Sequence, residues 1–554
     1  MLKTFTLCIF LIITFASLNA QDLSTLSSQK PITFSGSLEL RGISYNAEGI
    51  PARRNPFTWY LFGAPTISVY GITIPFTFAL SEEEKTYSQP FNRYGLSPRY
   101  KWITLHLGYR NLNFSPYTLG GHTLYGAGIE LTPGAFRFGA AYGRLNKATE
   151  LDTNLGYVRP VSFTRKVYAV KTGFGRKGSF IDFSFLKAMD DSNSVSYQGT
   201  DTAAFVNPAA NMAASAALRL QFSSKLILEA DGGLSLYTNN MRSVNPIKEL
   251  DLYKHILPVN LSTEKYMAWS AALTYKQKYF SLKTNYKWVE PGFKSMGVYY
   301  FNNDIEQITF APSAQLLKSR LRISGSLGLQ HDNLRGQKAM RTDRTIWSAN
   351  AGMDYTRKLG LDLNLSNYAM SATPQVTLVN QKYKLTNASR TYSAAPRFIH
   401  VTKTNSHSVL GNVTLAEMTD ANDSTTALNT IRTQLAFISY NLGFQQHNLN
   451  FTFTANSSST EFRSNRTTYT GFGLGINKGF YSNKLQIGSN AAFTTSKSQT
   501  GSDILNLSLQ LQYSINKHHR LHLRWLMTGN RPVDTELAPA YTENTGEIGY
   551  HFSF

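Results

Sequence analysis

The strongest constraint on what this chain can fold into is a period of two that recurs in segment after segment. Leu359, Leu361, Leu363 and Leu365 alternate with Asp362, Asn364 and Ser366, and Leu505, Leu507, Leu509, Leu511 and Tyr513 alternate with Asn506, Ser508, Gln510 and Gln512. Phe280, Leu282, Thr284, Tyr286 and Trp288 alternate with Ser281, Lys283, Asn285 and Lys287. Leu321, Ile323, Gly325, Leu327 and Leu329 alternate with Arg320, Arg322, Ser324 and Ser326, and Leu521, Leu523 and Trp525 with His522 and Arg524. Successive side chains of a strand point to opposite faces, so each segment is a strand with one apolar and one polar face. No stretch after residue 20 is apolar for the ~18 residues that a spanning helix needs. Charged residues are 16% of the chain, below the ~25% usual for soluble domains. Aromatics are 13%. Apolar content that never gathers into runs is what an alternating barrel wall gives. A secreted β-sandwich or β-solenoid also alternates, but does not account for the C-terminal residue or the hairpin spacing.

The sequence closes on Phe554. Ile548, Tyr550, Phe552 and Phe554 share one strand face, and Glu547, Gly549, His551 and Ser553 the other. This resembles the C-terminal strand of bacterial outer-membrane β-barrels, whose terminal aromatic is read by the insertion machinery. The resemblance implies that Ile548, Tyr550, Phe552 and Phe554 form an assembly signal and that this machinery is a partner. At the other end, Met1-Leu2-Lys3 is a short basic start, Phe5 to Phe15 is nearly all apolar, and Leu18-Asn19-Ala20 offers a small-residue cleavage site. That is a Sec-type signal peptide over 1–20, cleaved after Ala20. The expected location is the bacterial outer membrane, with its lipid and lipopolysaccharide as surroundings. Cys8, the single cysteine, lies inside the apolar run. The mature chain then has none, which excludes disulfides, cysteine metal sites and thiol catalysis.

Turns alternate with longer polar stretches. Short turns fall at Thr132–Ala135, Gly175–Gly178, Ser223–Lys225, Tyr275–Lys278, Arg357–Gly360 and Asn516–His519. Long stretches lie near 147–163, 188–210, 238–264, 331–343, 371–396, 416–428 and 529–542. Short periplasmic turns and long outer loops are the outer-membrane pattern. The fold class expected is therefore all-β, a single transmembrane antiparallel β-barrel. An even strand number near ~24 follows, with ~20 to ~26 allowed by boundary error. About twenty of these lie after residue 135 and about four before it. Residues 21–31 form a short periplasmic segment and 32–554 the barrel.

Residues 99–132 are the least regular. Lys101 to Arg110 reads as a strand, Asn111 to Gly121 breaks it, and Leu124 to Leu131 resumes it. The order strand, Phe-x-Pro-aromatic-Thr, strand is similar to the early part of specific porins, where that segment folds into the lumen. The resemblance implies a lumen constriction from Arg110, Phe114, Pro116 and Tyr117. An ordinary irregular connection is the alternative. The segment from Tyr286 to Asp304 is dense in aromatics and turn formers. It reads as an outer interface girdle followed by an ordered loop, or as a docking surface.

The formal charge is +21, one less without Lys3. Lys171, Lys283, Lys287, Arg320, Arg322 and Arg524 fall on the polar strand face, as do Asp182, Glu229, Asp231 and Asp362. A lumen with a basic excess concentrates anions. The alternative is that most of the charge meets lipid phosphates at the rim. Nucleic acid binding is disfavoured, since the chain is exported and lacks a recognition motif. No His-Glu-x-x-His, Gly-x-Ser-x-Gly or phosphate loop is present. His518, His519 and His522 cluster at one turn, more in keeping with a solvated turn than a metal site. No cofactor is implied. Gly471, Gly473 and Gly475 share one strand face and permit bending or close packing.

The chain's length, basic charge and aromatic content look like those of large barrels of the Bacteroidetes. The function expected is a porin-like channel for small solutes, anions among them, with loops narrowing the lumen. The alternative is a structural or translocon-associated barrel, closed by loops or by a periplasmic or surface partner protein. An outer-membrane hydrolase is a minor alternative. His522 and His551 fall on the lumen face, the wrong side for a catalytic pair at the lipid edge.

Overall fold

The structure, a computed structural model, describes residues 31–82, 93–150, 161–195, 206–244, 248–299, 302–375, 385–420, 429–463, 465–498 and 501–554. The expected signal peptide lies outside them. The first strands are β1 (Ile32–Ser35), β2 (Ser37–Glu48), β3 (Phe57–Gly63), β4 (Thr66–Val69), β5 (Ile72–Ser81), β6 (Arg93–Leu96), β7 (Arg99–Tyr100), β8 (Ile103–Asn111) and β9 (Thr123–Leu131). Next come β10 (Phe136–Asn146), β11 (Arg165–Gly175), β12 (Phe180–Asp190), β13 (Ala210–Gln221), β14 (Leu226–Thr238), β15 (Thr263–Lys276), β16 (Phe280–Val289), β17 (Ile305–Leu316) and β18 (Leu321–His331). The remainder are β19 (Met340–Asp354), β20 (Leu359–Pro374), β21 (Leu385–Val401), β22 (Asn405–Asp420), β23 (Ile431–Phe444), β24 (Leu449–Phe462), β25 (Asn465–Phe480), β26 (Leu485–Lys497), β27 (Ser502–Ser514), β28 (His519–Pro532) and β29 (Tyr541–Ser553).

All pair antiparallel in one sheet, and β2 closes it on β29, from Ser37 opposite Ser553 to Glu48 opposite Thr542. Closure leaves no sheet edge, so the wall satisfies its own backbone groups, as hydrocarbon demands. Three strands are broken in two: β1 and β2 at Gly36, β3 and β4 at Ala64-Pro65, β6 and β7 at Ser97-Pro98. Counted as one strand each, they bring the 29 segments to 26. A sheet of that many strands at ordinary spacing and tilt is about 50 Å across.

The count exceeds the expected ~24 because of these breaks. The region after residue 135 holds the twenty strands anticipated, whereas the region before it holds six where four were expected. Proline has no N–H to give the ladder, so Pro65 and Pro98 interrupt strands and leave pieces of two to four residues, β4, β6 and β7, that look too short to count. Their neighbours bridge the gaps through carbonyls: Phe76 donates to Pro65 O at 2.8 Å and Ser97 to Pro75 O at 2.9 Å. Gly36 has φ +134°, and a Cβ there would sit 2.4 Å from Ala64 O. Its N–H reaches Phe554 O at 2.9 Å, and the Phe554 N–H returns to Gly36 O at 3.1 Å. The C-terminal residue is thus tied into the seam.

The apolar face points outward. Leu359, Leu361, Leu363 and Leu365 are all exposed on the outer wall, as are Leu505, Leu509, Leu523, Trp525, Ile548 and Tyr550. Strand lengths vary around the barrel. β8 and β9 have nine residues each, but β20, β21, β22 and β25 have 16 or 17. About 9–11 residues cross a bilayer, so the strands from β20 to β25 are longer than such a crossing needs. Two connections at the loop end, 463–464 and 498–501, are as short as turns, and the stretch read as loop over 371–396 is half strand, since β21 begins at Leu385.

Candidate functional site: the lumen and its two inward loops

The loop between β8 and β9, residues 112–122, folds inward. Ser115 starts it: its Oγ accepts from the Tyr117 N–H at 3.1 Å, and its carbonyl from Thr118 at 3.3 Å. The Phe114 N–H donates to Leu119 O at 2.8 Å, which closes the loop on itself. Leu112, Phe114 and Leu119 are buried against Val167, Ala169, Leu186, Ala188 and Ala213, on the lumen face of β11 to β13. Glycines make the sockets. A Cβ at Gly128 would lie 3.0 Å from Leu112 Cδ1, one at Gly139 2.9 Å from Phe114 Cε1, and one at Gly233 2.4 Å from Tyr117 Cβ. Burying each such side chain contributes roughly 1.5–3 kcal/mol, enough to hold a loop that has no strand partner.

A second loop between β16 and β17, described over residues 290–299 and 302–304, docks on the first. Phe293 is fully buried and meets Tyr117 edge-on, with centroids 5.9 Å apart at 81°. Ser295 Oγ donates to Thr118 O at 3.0 Å, and the Gly120 N–H to Gly297 O at 3.0 Å. The wall grips it as well: the Met296 N–H donates to Asn211 Oδ1 at 3.0 Å, and Ser235 Oγ to Lys294 O at 2.7 Å. At the junction His122 stacks on Tyr299 at 3.9 Å. Burial, then the nearby Arg165, pushes the His122 imidazole below its ordinary pKa, against its bond to Thr123 O. Burial likewise lowers Lys294, whose ammonium lies 4.1 Å over the Tyr237 ring and donates to Asn239 Oδ1 at 2.6 Å.

Of the residues assigned to the constriction, Phe114, Pro116 and Tyr117 all lie in the inward loop. Arg110 lies on the β8 wall, where its Nη1 donates to Thr77 Oγ1 at 2.6 Å. The 290–304 loop corrects the outward reading of that segment. Trp288 pairs across from Trp269 on the outer wall, but Phe293 and Met296 turn into the lumen.

The lumen charges are largely paired. Asp182 on β12 is buried between Lys171 and Arg137, both at 3.0 Å. Glu229 on β14 pairs with Arg219, and Asp231 follows two residues on, on the same face. Arg322 bonds Asp354 at 2.7 Å, while Arg397 bridges Asp354 and Asp362. Glu547 stands 3.3 Å from Arg41 and 3.3 Å from His522. Lys283 and Lys287 sit on the lumen face of β16, and Arg524 on that of β28. Arg320 departs from the strand-face reading: it lies in the turn before β18, its N–H bonded to Leu317 O. The partners Arg137, Arg219, Asp354 and Arg397 were not singled out from sequence. Their alternation marks the face, but strand register alone brings them opposite the acids. The three clustered histidines part company, His518 to Ser553 O at 2.7 Å, His519 to the Tyr550 hydroxyl and His522 to Glu547. Among the described residues no group of three or more potential ligands could hold a metal.

One relay was also unseen in the sequence. Ser97 Oγ lies 3.0 Å from His106 Nδ1, and His106 Nε2 lies 3.0 Å from Glu130 Oε2. The order suits a nucleophile, base and acid. However, Ser97's own amide is committed to Pro75 O, so the donor nearest an oxyanion is already used. The trio instead fastens the break between β6 and β7 to β8 and β9.

No family model matches the chain, and no curated protein matches it. Among solved structures it is similar to the outer membrane protein OpdK of Pseudomonas aeruginosa, crystallised with vanillate, at 11% identity over 63% of this chain and 93% of that one, TM-score 0.31. OccAB2 of Acinetobacter baumannii is similar at 12% identity over 94% and 98%, TM-score 0.32. The copper transporter OprC is similar at 10% identity over 95% and 81%, TM-score 0.40.

Proposed function

We propose that this chain is an outer-membrane, porin-like channel for small solutes, narrowed by loops 112–122 and 290–304. The carrying observation is that both loops pack flat on the lumen face of one arc of wall, whereas Asn364, Asn506, Gln510 and Arg524 on other lumen faces stay exposed. A barrel of ~22 strands in known transporters holds a plug. Here the narrowing comes from the chain's own loops. In this reading residues 1–20 are removed after Ala20, the Phe554 strand is read by the insertion machinery, and lipid and lipopolysaccharide surround the wall. Lys283 and Lys287 give the channel a mild anion preference. The test is conductance of the purified barrel in a planar bilayer. Steady single-channel steps support the reading. A heat-modifiable, folded barrel that passes no current overturns it, and favours a structural or translocon-associated barrel closed by a partner protein.

A further inference from the structure

The lumen wall of β22 to β27 is of a different chemical kind from the rest. Register places Asp420, at the loop end of β22, as the one charged side chain on the lumen face of these six strands among the described residues. Their other charges all point outward. Glu417, Arg432, Glu461 and Arg466 stand opposite one another in a single row on the outer face, with Arg432 Nε 2.9 Å from Glu417. In a chain of formal charge +21, a neutral wall six strands wide is a specific arrangement.

What replaces charge is a pattern in three levels. Phe462 and Tyr469 near the loop end, and Phe437 further down β23, project into the lumen, 38%, 41% and 37% exposed. Ordinary lumen faces are polar, and large apolar groups left facing water mark a binding surface. Hydroxyls and amides lie between them: Asn456 stands opposite Phe437, Ser458 opposite Leu435 and Tyr469, and Thr433 Oγ1 contacts Thr460 Oγ1 at 3.2 Å. Mid-wall, Gly471, Gly473 and Gly475 clear a strip. A Cβ at Gly471 would come within 2.7 Å of Asn456 Oδ1 and 2.9 Å of Thr494 Oγ1, and one at Gly473 within 2.5 Å of Thr454 Oγ1. The polar ends of neighbouring side chains therefore lie over bare backbone. At the short-turn end the strip opens into a cavity of about 660 Å3, where Asn450, Asn477, Asn483, Gln486, Gln510 and Gln512 converge, with Lys478, His522 and Arg524 also in its lining.

We infer that the β22–β27 wall is a recognition track for a neutral polyhydroxylated solute of the oligosaccharide class. Each carboxamide offers two donors and an acceptor without charge, so a sugar hydroxyl exchanges water for protein with no ion to desolvate. Aromatic faces take the apolar C–H side of a sugar ring, while a few placed polar groups fix its orientation. A fatty solute would leave these amides unsatisfied, and an anionic one would find no cation on the lumen face of β22 to β27, the nearest being Arg524 of β28 at the cavity's edge. The inference rests on the channel reading and adds a solute class to it.

The test uses the full barrel in a planar bilayer, with maltohexaose as neutral probe and digalacturonate as charged probe. Maltohexaose should interrupt the chloride current reversibly, with digalacturonate at least tenfold weaker. Phe437→Ser and Tyr469→Ser should each weaken the maltohexaose block about tenfold. Lys283→Gln should leave that block intact. A conducting channel that maltohexaose does not interrupt, or a block that neither aromatic substitution alters, overturns the track and leaves the channel standing. Absence of any current from the wild-type barrel overturns both.

Discussion

The docking of loop 290–304 on loop 112–122 turns on Phe293, and replacing it with Ala is the sharpest test of the narrowed lumen. Phe293 is fully buried among Tyr117, Tyr266, Ala268 and Val289. Phe→Ala at such a site costs about 3–5 kcal/mol. The barrel does not bear that cost, because its ladders close without the loop. The loop does, and what remains to hold it are hydrogen bonds from Ser295, Gly120, Met296 and Ser235, each worth about 1 kcal/mol net, with the Lys294–Asn239 bond, the buried Met296 and the His122–Tyr299 stack. The loss is a large share of what holds the loop, so undocked states gain population. Single-channel recording should show a larger mean conductance and added open levels, and limited proteolysis should newly cut within 290–304. Phe293→Leu keeps most of the volume and costs less, about 1 kcal/mol, so it should stay near wild type. If Phe293→Ala folds, yet keeps wild-type conductance and protease resistance, the loop does not govern the opening.

Leu361→Arg, on the outer wall, should destabilise by roughly 2–4 kcal/mol in an unfolding titration, while Asp362→Asn, which removes one of the two carboxylates on Arg397, should cost within about 1 kcal/mol. Equal effects would show the facing to be wrong. Deleting Phe554 should lower the amount of heat-modifiable barrel in the outer membrane, and unchanged amounts would remove its assembly role. His122 is held below its ordinary pKa by burial, so its neutral form favours the docked junction. Stability from this group is present above the unfolded value of about 6.5 and is lost as pH falls through the folded value. Acid should therefore loosen the stack on Tyr299 and raise conductance, and a pH profile unaltered by His122→Gln would refute it. Replacing Lys283 and Lys287 with Gln should shift the reversal potential in a salt gradient towards cations, with the difference shrinking at 1 M salt as screening tightens to ~3 Å. A potential that does not move would leave the global charge to the rim.

The facing of the strands was legible because a wall between lipid and water writes it into alternate residues. Leu505 to Tyr513 and Leu521 to Trp525 point outward as their period demands. The first third was less legible, because Gly36, Pro65 and Pro98 cut strands into pieces of two to four residues on one side of each break, below the length at which alternation is visible. The Phe-x-Pro-aromatic order around Phe114 and Tyr117 suited an inward segment and an ordinary irregular connection alike. Its partner loop was no clearer, since aromatics at 286–304 suit a lipid girdle as well as a buried contact. Trp288 is one and Phe293 the other, and only the end of β16 at Val289 separates them. Ion-pair partners were beyond reach for another reason. Arg397 meets Asp354 and Asp362 across three strands, and such meetings depend on register summed over hairpins.

The position of the loops gives the neutral wall its meaning. Counted around the 26 strands, the loop-covered arc from β9 to β16 spans strands six to thirteen, and β22 to β27 spans nineteen to twenty-four. Their centres are about half a circuit apart, so the buried loops face the uncharged wall across the lumen. Each loop residue that packs on the β9–β16 arc removes width from that side only. A solute entering at the loop end is displaced toward Phe462, Tyr469 and Phe437, on strands of 14 to 16 residues. Had the loops packed on β22 to β27 instead, these aromatics would be core, as Phe114 and Phe293 are. That they remain exposed, with their strands' charges turned to the outside, ties the narrowing of the lumen and the chemistry of its open side into one arrangement.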